Sequence, residues 1–273
     1  MQIHVNNCPA CGCGDHTPVY PNLNIVRCEG CSLAYLTLHN DRHTTWQFYQ
    51  EYATKPGSHM VPPANLEQAK QSRLRRTEFM DMVTQFVSPG SLMDVGGGWG
   101  GLVMEAKERG YSPTLLELCE GSCQWCREHL QVPALSQWLD LVGLPSFSLD
   151  VVVGVHSFEH LDKLAEGLMT VKRLLRPGGM IAGIVPNFES ATSRTVGTRW
   201  HWLDAECHYQ HFTPHSLVRV LRRFGFVPVH IETRNGDYRT DLISVATGLE
   251  HPEVLTGVGL GEEIWFVFRK CDV

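Results

Sequence analysis

Four cysteines near the start of the chain have the spacing of a metal site. Cys8 and Cys11 form one C-x2-C pair, and after sixteen residues Cys28 and Cys31 form a second. Each pair presents two thiolates on a tight turn, and two such turns complete the tetrahedral four-sulfur shell that suits Zn2+. Because a closed shell has no position for a substrate, the spacing predicts a structural zinc site. The alternative is that these are four unrelated core cysteines.

A glycine-rich stretch follows a short apolar segment and can bring backbone N–H groups against a ligand. Gly96, Gly98 and Gly101 satisfy the pattern G-x-G-x-x-G, with Gly100 inside it. Glu117 lies 21 residues after Gly96, where a carboxylate can accept hydrogen bonds from ribose hydroxyls. On these residues alone, NAD and S-adenosylmethionine are both open as ligands.

Fourteen histidines is a high count for 273 residues, and four of them lie where acid–base chemistry is plausible. His160 follows a predicted strand, and His208, His211 and His215 surround the start of a predicted helix. A histidine can take a proton from a hydroxyl or an ammonium near neutral pH, so we expect His160, His208 or His211 to act as base or to hold an acceptor. Two alternatives are open. The histidines can be hydrogen-bonded core residues, or Cys207, His211 and His215, spaced C-x3-H-x3-H, can bind a second metal; His215 also has the position of a surface residue.

A second group of cysteines has the spacing of a different cofactor. Cys119, Cys123 and Cys126 match the CxxxCxxC pattern that ligates a [4Fe–4S] cluster in radical S-adenosylmethionine enzymes. The same spacing is one face of a helix, which predicts a buried thiol stripe instead. Their position after Glu117 in a Rossmann-like half favours the buried stripe.

The candidate residues are separated by alternating strands and helices. Apolar runs predict strands over residues 91–95, 114–118, 149–155 and 180–185, with closing strands over 226–232 and 263–269. Helical patterns lie over residues 66–86, 102–109, 163–175 and 216–224. Repeated βα units of this kind predict an α/β fold with an open, mostly parallel, doubly wound sheet.

An acidic residue directly before the glycine stretch separates the two candidate cofactors. A carboxylate at Asp94 would repel a pyrophosphate, whereas it suits the ammonium group of a methionine moiety. With Gly96, Gly98 and Gly100 it resembles the acidic-x-Gly-x-Gly-x-Gly motif of class I S-adenosylmethionine-dependent methyltransferases. The resemblance continues in order over roughly residues 65–235, through Glu117, 150–155, 157–161 and 174–179.

Within that superfamily the chain is similar to a ubiquinone-biosynthesis-like, small-molecule branch. A CPxCG…CxxC ribbon, an FYxxYA-like segment and a His-x2-His-Phe-Thr-Pro segment co-occur there, and here they are Cys8–Cys31, Phe48–Ala53 and His208–Pro214. The resemblance implies a Rossmann-like sheet with an antiparallel last strand, S-adenosylmethionine as cofactor and an N-terminal zinc ribbon.

Two further parts of the cofactor site follow from the resemblance. The family usually has an acidic residue near the adenine before the fourth strand, and this chain departs from that pattern. We assign adenine contact to Gln137 and Trp138, with Asp140 as an alternative. His156 and Ser157, just past the fourth strand, are expected to face the cofactor at the carboxyl edge of the sheet.

The chain divides into three expected regions. Residues 1–40 form the zinc-ribbon module, 41–90 an aromatic connector or lid with an N-terminal helix, and 91–273 the methyltransferase domain, with a substrate-recognition insertion near 188–213. Lys and Arg total 23 against 29 Asp and Glu, a net charge of −6, and Arg27 is the ribbon's single basic residue. Nucleic-acid binding is therefore disfavoured. Without an apolar run of roughly 18 residues or a signal-like N-terminus, a cytoplasmic protein is predicted.

These observations predict transfer of a methyl group from S-adenosylmethionine to an oxygen, nitrogen or carbon nucleophile of a small metabolite, in specialised metabolism. The alternatives are an RNA methyltransferase that uses the ribbon on RNA, an NAD-dependent oxidoreductase, and a catalytically silent cofactor-binding scaffold. The acidic ribbon argues against RNA, and the glycine loop with Glu117 argues against a silent scaffold. The sequence indicates neither the acceptor nor the oligomeric state.

Overall fold

A computed structural model describes residues 1–55, 58, 60–71, 74–204, 206–235 and 254–271. The strands in chain order are β1 (Gln2–His4), β2 (His16–Tyr20), β3 (Ile25–Cys28), β4 (Ala34–Leu36), β5 (Leu38–Asn40), β6 (Ser91–Val95), β7 (Ser112–Leu116), β8 (Ala134–Leu135), β9 (Leu149–Val155), β10 (Leu175–Pro186), β11 (Gln210–His211), β12 (Phe226–Arg234) and β13 (Glu263–Lys270). The α-helices are α1 (Arg42–Tyr52), α2 (Leu66–Gln71), α3 (Leu74–Thr84), α4 (Gly101–Glu108), α5 (Glu120–Trp125), α6 (Leu164–Leu174), α7 (Ala191–Val196), α8 (Pro214–Arg223) and α9 (Val254–Gly257).

The central sheet has the spatial order β12-β13-β10-β9-β6-β7-β8 within the described residues. The pairings among β6 to β10 are parallel, and β13 is antiparallel to both of its neighbours. Strand β9 is apolar apart from Asp150, whose carboxylate accepts the Ser91 N–H at 2.6 Å, because both of its faces are covered. Val151 and Val153 pack on one side and Val152 on the other, each fully buried. The predicted mostly parallel sheet with an antiparallel last strand is confirmed.

Helices cover both faces of this sheet. On one face, Phe79 and Val83 of α3 pack with Leu102 of α4 against Val151 and Trp265. On the other face, residues of α6 and α8 pack against Val152 and Phe266. This arrangement leaves the carboxyl ends of the parallel strands as the edge where loops meet, which is the usual ligand position in such folds.

The cysteine-rich segment is joined to the domain through a second sheet of order β11-β4-β3-β2. Its edge strand β11 comes from far along the chain, with Gln210 opposite Tyr35 and His211 opposite Ala34. Buried ribbon residues also share one apolar cluster with Phe212 and the inner face of α8. The predicted 1–40 module therefore completes its sheet with a strand from the predicted insertion near 188–213.

The segment predicted as a helix over 66–86 is helical over 66–71 and 74–84, on either side of residues 72 and 73, which lie outside the described part. Two expectations about elements need correction. The first part of the predicted connector is helix α1, which follows the cap Asp41, whose carboxylate accepts the Thr44 N–H at 2.8 Å. The predicted strand at 180–185 extends over the whole of β10. None of the described helices is both long and apolar enough to span a bilayer.

Candidate cofactor and acceptor site

The glycine loop turns directly from β6 into α4 through three residues of positive φ. Gly96, Gly98 and Gly100 have φ values of 67°, 57° and 97°, a region that side chains rarely adopt. A Cβ on Gly96 would lie 2.7 Å from the Ser157 hydroxyl, whereas a Cβ on Gly98 would meet no atom within 4 Å. The middle of the loop therefore faces open space, where a ligand can approach the backbone closely.

Glu117, just past the end of β7, is fixed against this loop. Its carboxylate accepts the Gly98 N–H at 2.9 Å and the Cys119 N–H at 3.1 Å, and the residue is 5% exposed. Burial raises the pKa of Glu117, and the backbone donors oppose that rise. The predicted ribose-binding carboxylate thus lies beside the glycine loop, as the sequence spacing required.

Asp94 lies deeper beneath the same loop. It is 1% exposed, and among the described residues its Oδ2 has no hydrogen-bond partner. Burial, with the nearby charge of Glu117, raises the pKa of Asp94 well above its usual value, and Arg76 opposes this. A buried carboxylate oxygen without a donor is the site at which a cationic ligand group gains most.

In the segment after β8, the ring of Trp138 is covered by a basic residue from the start of α1. The Arg42 guanidinium stacks 4.6 Å from the centroid of the Trp138 ring and forms ion pairs of 2.6 Å with Asp140 and with Asp162. Gln137 is partly buried at the same turn. Asp140, the alternative adenine contact, is therefore engaged by Arg42, and the pair anchors the start of α1 to this edge of the sheet.

His156 and Ser157 directly follow β9, and the Ser157 hydroxyl lies next to Gly96 of the glycine loop. His156 has a φ of 52° and lies between two buried carboxylates, with Nε2 3.1 Å from Glu263 and Nδ1 3.3 Å from Glu159. Its ring stacks on Trp202 at a centroid distance of 4.6 Å with the planes 2° apart. This places a rigid aromatic platform next to the carboxyl ends of β6 and β9.

Two of the predicted catalytic histidines meet beside that platform. The rings of His160 and His208 pack edge to face, with their centroids 4.6 Å apart, and Cys207 joins them. The Tyr49 hydroxyl lies 3.2 Å from His160 Nδ1. Burial, and then the neighbouring His208, lowers the pKa of His160 to about 4.

The third predicted catalytic histidine has a different environment. We expected His211 in a loop facing the acceptor, but it lies in β11 opposite Ala34, because the ribbon sheet takes its edge strand there. It is 3% exposed, its ring lies 5.1 Å from that of Phe188, and burial lowers its pKa to about 3. The alternative metal set Cys207, His211 and His215 does not assemble either, since His215 is exposed on α8.

The four ribbon cysteines lie together. The Sγ atoms of Cys8 and Cys31 are 3.5 Å apart, as are those of Cys11 and Cys28, and all four lie within 4.8 Å of one another. Zinc–sulfur bonds of about 2.3 Å in a tetrahedron require sulfurs about 3.8 Å apart, so the donor set fits the ion.

The other three spaced cysteines behave as the helix-face interpretation predicts. Cys119, Cys123 and Cys126 are all buried. The thiol of Cys123 donates to the Glu117 carbonyl at 3.4 Å, and that of Cys126 to the Val132 carbonyl at 3.9 Å. Within the described ranges they form no group of metal-ligand geometry.

Sequence reasoning missed several residues of this site. They are Arg42, Tyr49, Trp202 and Glu263. Tyr49 lies in the FYxxYA-like segment and Trp202 in the predicted insertion, but neither pattern gives the residue a role, and Arg42 and Glu263 lie in segments without a motif. The aromatic content of the connector was a usable signal for Tyr49. Nothing in the sequence near Glu263 indicates that it pairs with a histidine 107 residues earlier.

Comparison with known proteins agrees with this geometry. Residues 67–231 match the model of a family described as a methyltransferase domain. The chain belongs to that family, and its fold is that of the class I S-adenosylmethionine-dependent methyltransferases, as the motif order predicted. This favours methyl transfer over the NAD-dependent alternative.

Among curated proteins, the chain is similar to a malonyl-[acyl-carrier protein] O-methyltransferase of Serratia marcescens, 26% identical over 166 residues, which are 60% of this chain and 59% of the relative. The chain thus spans little more than half of that relative's length. Among solved structures, 1,6-didemethyltoxoflavin-N1-methyltransferase of Burkholderia thailandensis has a TM-score of 0.56 at 15% identity, covering 94% of this chain and 100% of that one. A methyltransferase of Mesorhizobium loti has a TM-score of 0.53 at 20% identity, covering 71% of this chain and 98% of that one. Likeness at such low identity concerns the fold alone.

Proposed function

We propose that the protein transfers a methyl group from S-adenosylmethionine to an oxygen, nitrogen or carbon nucleophile of a small metabolite, as a step of specialised metabolism. The observation that carries this proposal is the pair of buried carboxylates around one glycine loop. Glu117 lies against the backbone of Gly98, and Asp94 has an unpaired oxygen beneath it. A ligand with ribose hydroxyls and an ammonium group satisfies both carboxylates, whereas a pyrophosphate satisfies neither.

The chain's own residues would hold the methyl donor as follows. Glu117 accepts the ribose hydroxyls, Asp94 pairs with the methionine ammonium, and the turn of Gly96, Gly98 and Gly100 admits the ligand against the backbone. Gln137 and Trp138 contact the adenine, and His156 and Ser157 close the far side. When bound, S-adenosylmethionine supplies an electrophilic methyl group.

The acceptor side lies where α1 meets the predicted insertion. We propose that residues 188–213, of which 205 is outside the described part, form the wall that recognises the acceptor. Trp202, whose ring stacks on His156, supplies an aromatic surface in this wall. His160 and His208 deprotonate or hold the acceptor; His211, enclosed by the ribbon sheet, is the least suited of the three candidates. The four ribbon cysteines hold a structural zinc ion.

Binding and turnover test the proposal together. Calorimetry should detect S-adenosylhomocysteine binding and no NADH binding. Labelled methyl donor should then be incorporated into members of a panel of phenols, amines and carbon acids, but not into bulk transfer RNA. A protein that binds NADH instead, or that methylates the RNA and no small molecule, would contradict the proposal.

Glu117→Ala should weaken S-adenosylhomocysteine binding by about 1.5–3 kcal/mol, or roughly 10- to 150-fold, the range for a lost hydrogen bond to a charged group. Calorimetry measures the change. Glu120→Ala is the matched control, since it removes an exposed carboxylate three residues away that pairs with Arg127. Equal affinity in Glu117→Ala and wild type would show that the ribose lies elsewhere.

A further inference from the structure

Within the described part of the chain, one group of donor atoms outside the ribbon lies close enough together to hold a metal ion. A ring nitrogen of His160, the Sγ of Cys207 and a ring nitrogen of His208 lie within 4.8 Å of one another, and we refer to these residues as the His–Cys–His cluster. They come from two segments, the turn after β9 and the loop before β11, which are 47 residues apart in the chain. The fold therefore assembles a donor set that no sequence spacing indicates.

Backbone carbonyls fix both imidazole rings of the cluster in one tautomer. His160 Nδ1 lies 2.8 Å from the Cys207 carbonyl, and His208 Nδ1 lies 2.7 Å from the Trp202 carbonyl. Because a carbonyl oxygen can only accept, each Nδ1 carries the hydrogen and donates it. The neutral rings then have their lone pairs on Nε2, which is how histidines that ligate metals are held.

The charge around the cluster is negative. Asp204 has its Oδ2 3.1 Å from the Cys207 Sγ, while its Oδ1 accepts the Glu206 N–H at 3.0 Å. Glu159, next to His160 in the chain, is fully buried, and its ion-pair partner is His156 at 3.3 Å. Among the described residues no Lys or Arg pairs with Glu159 or Asp204. Glu159 is buried and Asp204 lies at the exposed edge of the cluster, so both carboxylates place negative charge where it would stabilise a bound cation.

We propose that His160, Cys207 and His208 bind a divalent transition-metal ion of the zinc type, with Asp204 supplying adjacent negative charge. Two imidazoles and one thiolate are a donor set that Zn2+ and Co2+ accept readily. On binding, the sulfur–metal bond replaces the S–H bond of Cys207, and the proton leaves to solvent without any redox change. Three protein ligands leave a fourth position open, unlike the closed ribbon site.

The open position has a use that rests on the proposed function. Tyr49 packs with Ala53 and Cys119 near the ribose carboxylate, and its hydroxyl reaches His160, so the cluster adjoins the methyl-donor side of the site. A metal-bound hydroxyl, thiol or amine loses its proton more readily because the cation stabilises the conjugate base. The cluster would thus activate the acceptor by coordination, and His160 would act as a ligand rather than as a base.

Cobalt titration tests the site without any acceptor. Protein purified with its ribbon metal in place is titrated with Co2+ and followed by visible ligand-field and near-ultraviolet thiolate-to-cobalt absorption. We expect about one further equivalent with a thiolate band in the wild type. Cys207→Ala should lose that band. Its affinity for Co2+ should fall by more than the roughly 10- to 100-fold that the loss of an outer-sphere partner costs. His208→Ala should weaken binding comparably, while the matched controls Cys271→Ala and His215→Ala should titrate as wild type.

Wild-type protein that takes up no additional Co2+, or a Cys207→Ala variant with the same band and affinity, would overturn the proposal. Thermal melting and S-adenosylhomocysteine binding by each variant show that it is folded. The two proposals also fail separately. Loss of S-adenosylhomocysteine binding with cobalt uptake intact removes the proposed function alone, and the reverse result removes the metal site alone.

Discussion

Cys28→Ser should lower the melting temperature of the protein by roughly 6–12 °C, the shift that a loss of about 3 kcal/mol gives in a chain of this size. Zinc contributes roughly 10–16 kcal/mol to the folding of isolated fingers, so the expected loss of about 3 kcal/mol is a modest fraction of that contribution. The effect should reach the whole chain, because the ribbon shares an apolar cluster with Phe212 and α8. Differential scanning calorimetry measures the shift, and elemental analysis should show the loss of one zinc equivalent.

Cys13→Ser is the matched control for this variant. Its thiol lies beside the ribbon, where it donates to the Asp15 carbonyl at 3.7 Å, but it is outside the four-sulfur group. A second comparison separates the effect of losing the metal from the effect of burying a serine hydroxyl. A chelator should lower the melting temperature of the wild type and leave that of Cys28→Ser unchanged. Equal melting temperatures for Cys13→Ser and Cys28→Ser, with equal zinc content, would contradict the ribbon assignment.

The ribbon and the acceptor side are mechanically linked through Tyr209. Its carbonyl accepts the Leu36 N–H at 3.0 Å, its N–H donates to the Glu159 carbonyl at 2.8 Å, and its hydroxyl lies 2.8 Å from the Thr45 hydroxyl. One residue therefore connects the ribbon, the turn that carries His160, and α1. Loss of the ribbon metal would therefore lower the stability of the protein and also loosen the loop that positions Cys207 and His208.

Much of the fold was predictable because its signals are local. The run over 149–155 is apolar except for Asp150, which is typical of a strand covered on both sides. The glycine loop, with Asp94 before it and Glu117 after the next strand, is a local pattern. Because β6 and β7 are neighbours in the sheet, this spacing brings Glu117 against the loop. The proximity of Glu117 to the glycine loop could therefore be predicted from the sequence, while the roles of these residues toward a cofactor stay predictions.

The acceptor side could not be predicted because distant contacts determine it. Helix α1 contains a weak apolar pattern and is held by the Arg42 ion pairs, whose partners lie about 100 residues later. The position of His211 depends on an edge pairing with Ala34 that no local motif encodes. The same pairing removes His211 from the group that spacing suggested and leaves Cys207 and His208 to meet His160.

His160→Ala should reduce methyl transfer by 100-fold or more while S-adenosylhomocysteine binding stays at the wild-type affinity. Loss of a group that deprotonates the acceptor costs roughly 10²–10⁴ in rate, and His160 touches Tyr49 and the cluster rather than the glycine loop. The rate is measured with labelled methyl donor on the phenol, amine or carbon acid that the wild type methylates best. His215→Ala, an exposed histidine on α8, should retain the wild-type rate.

Cys207→Ala then distinguishes the two ways in which His160 can act. A histidine that takes the proton directly has no need of the neighbouring thiol, so Cys207→Ala would keep most of the activity. A histidine that ligates a metal shares that metal with Cys207 and His208, so Cys207→Ala should lose activity as His160→Ala does. Cys207→Asp retains an anionic ligand, so added Co2+ or Zn2+ should restore part of its rate. Wild-type turnover by both alanine variants would mean that alignment of donor and acceptor alone carries the reaction. The histidines would then be core residues that support the backbone at Trp202 and Cys207, whose carbonyls accept their hydrogen bonds.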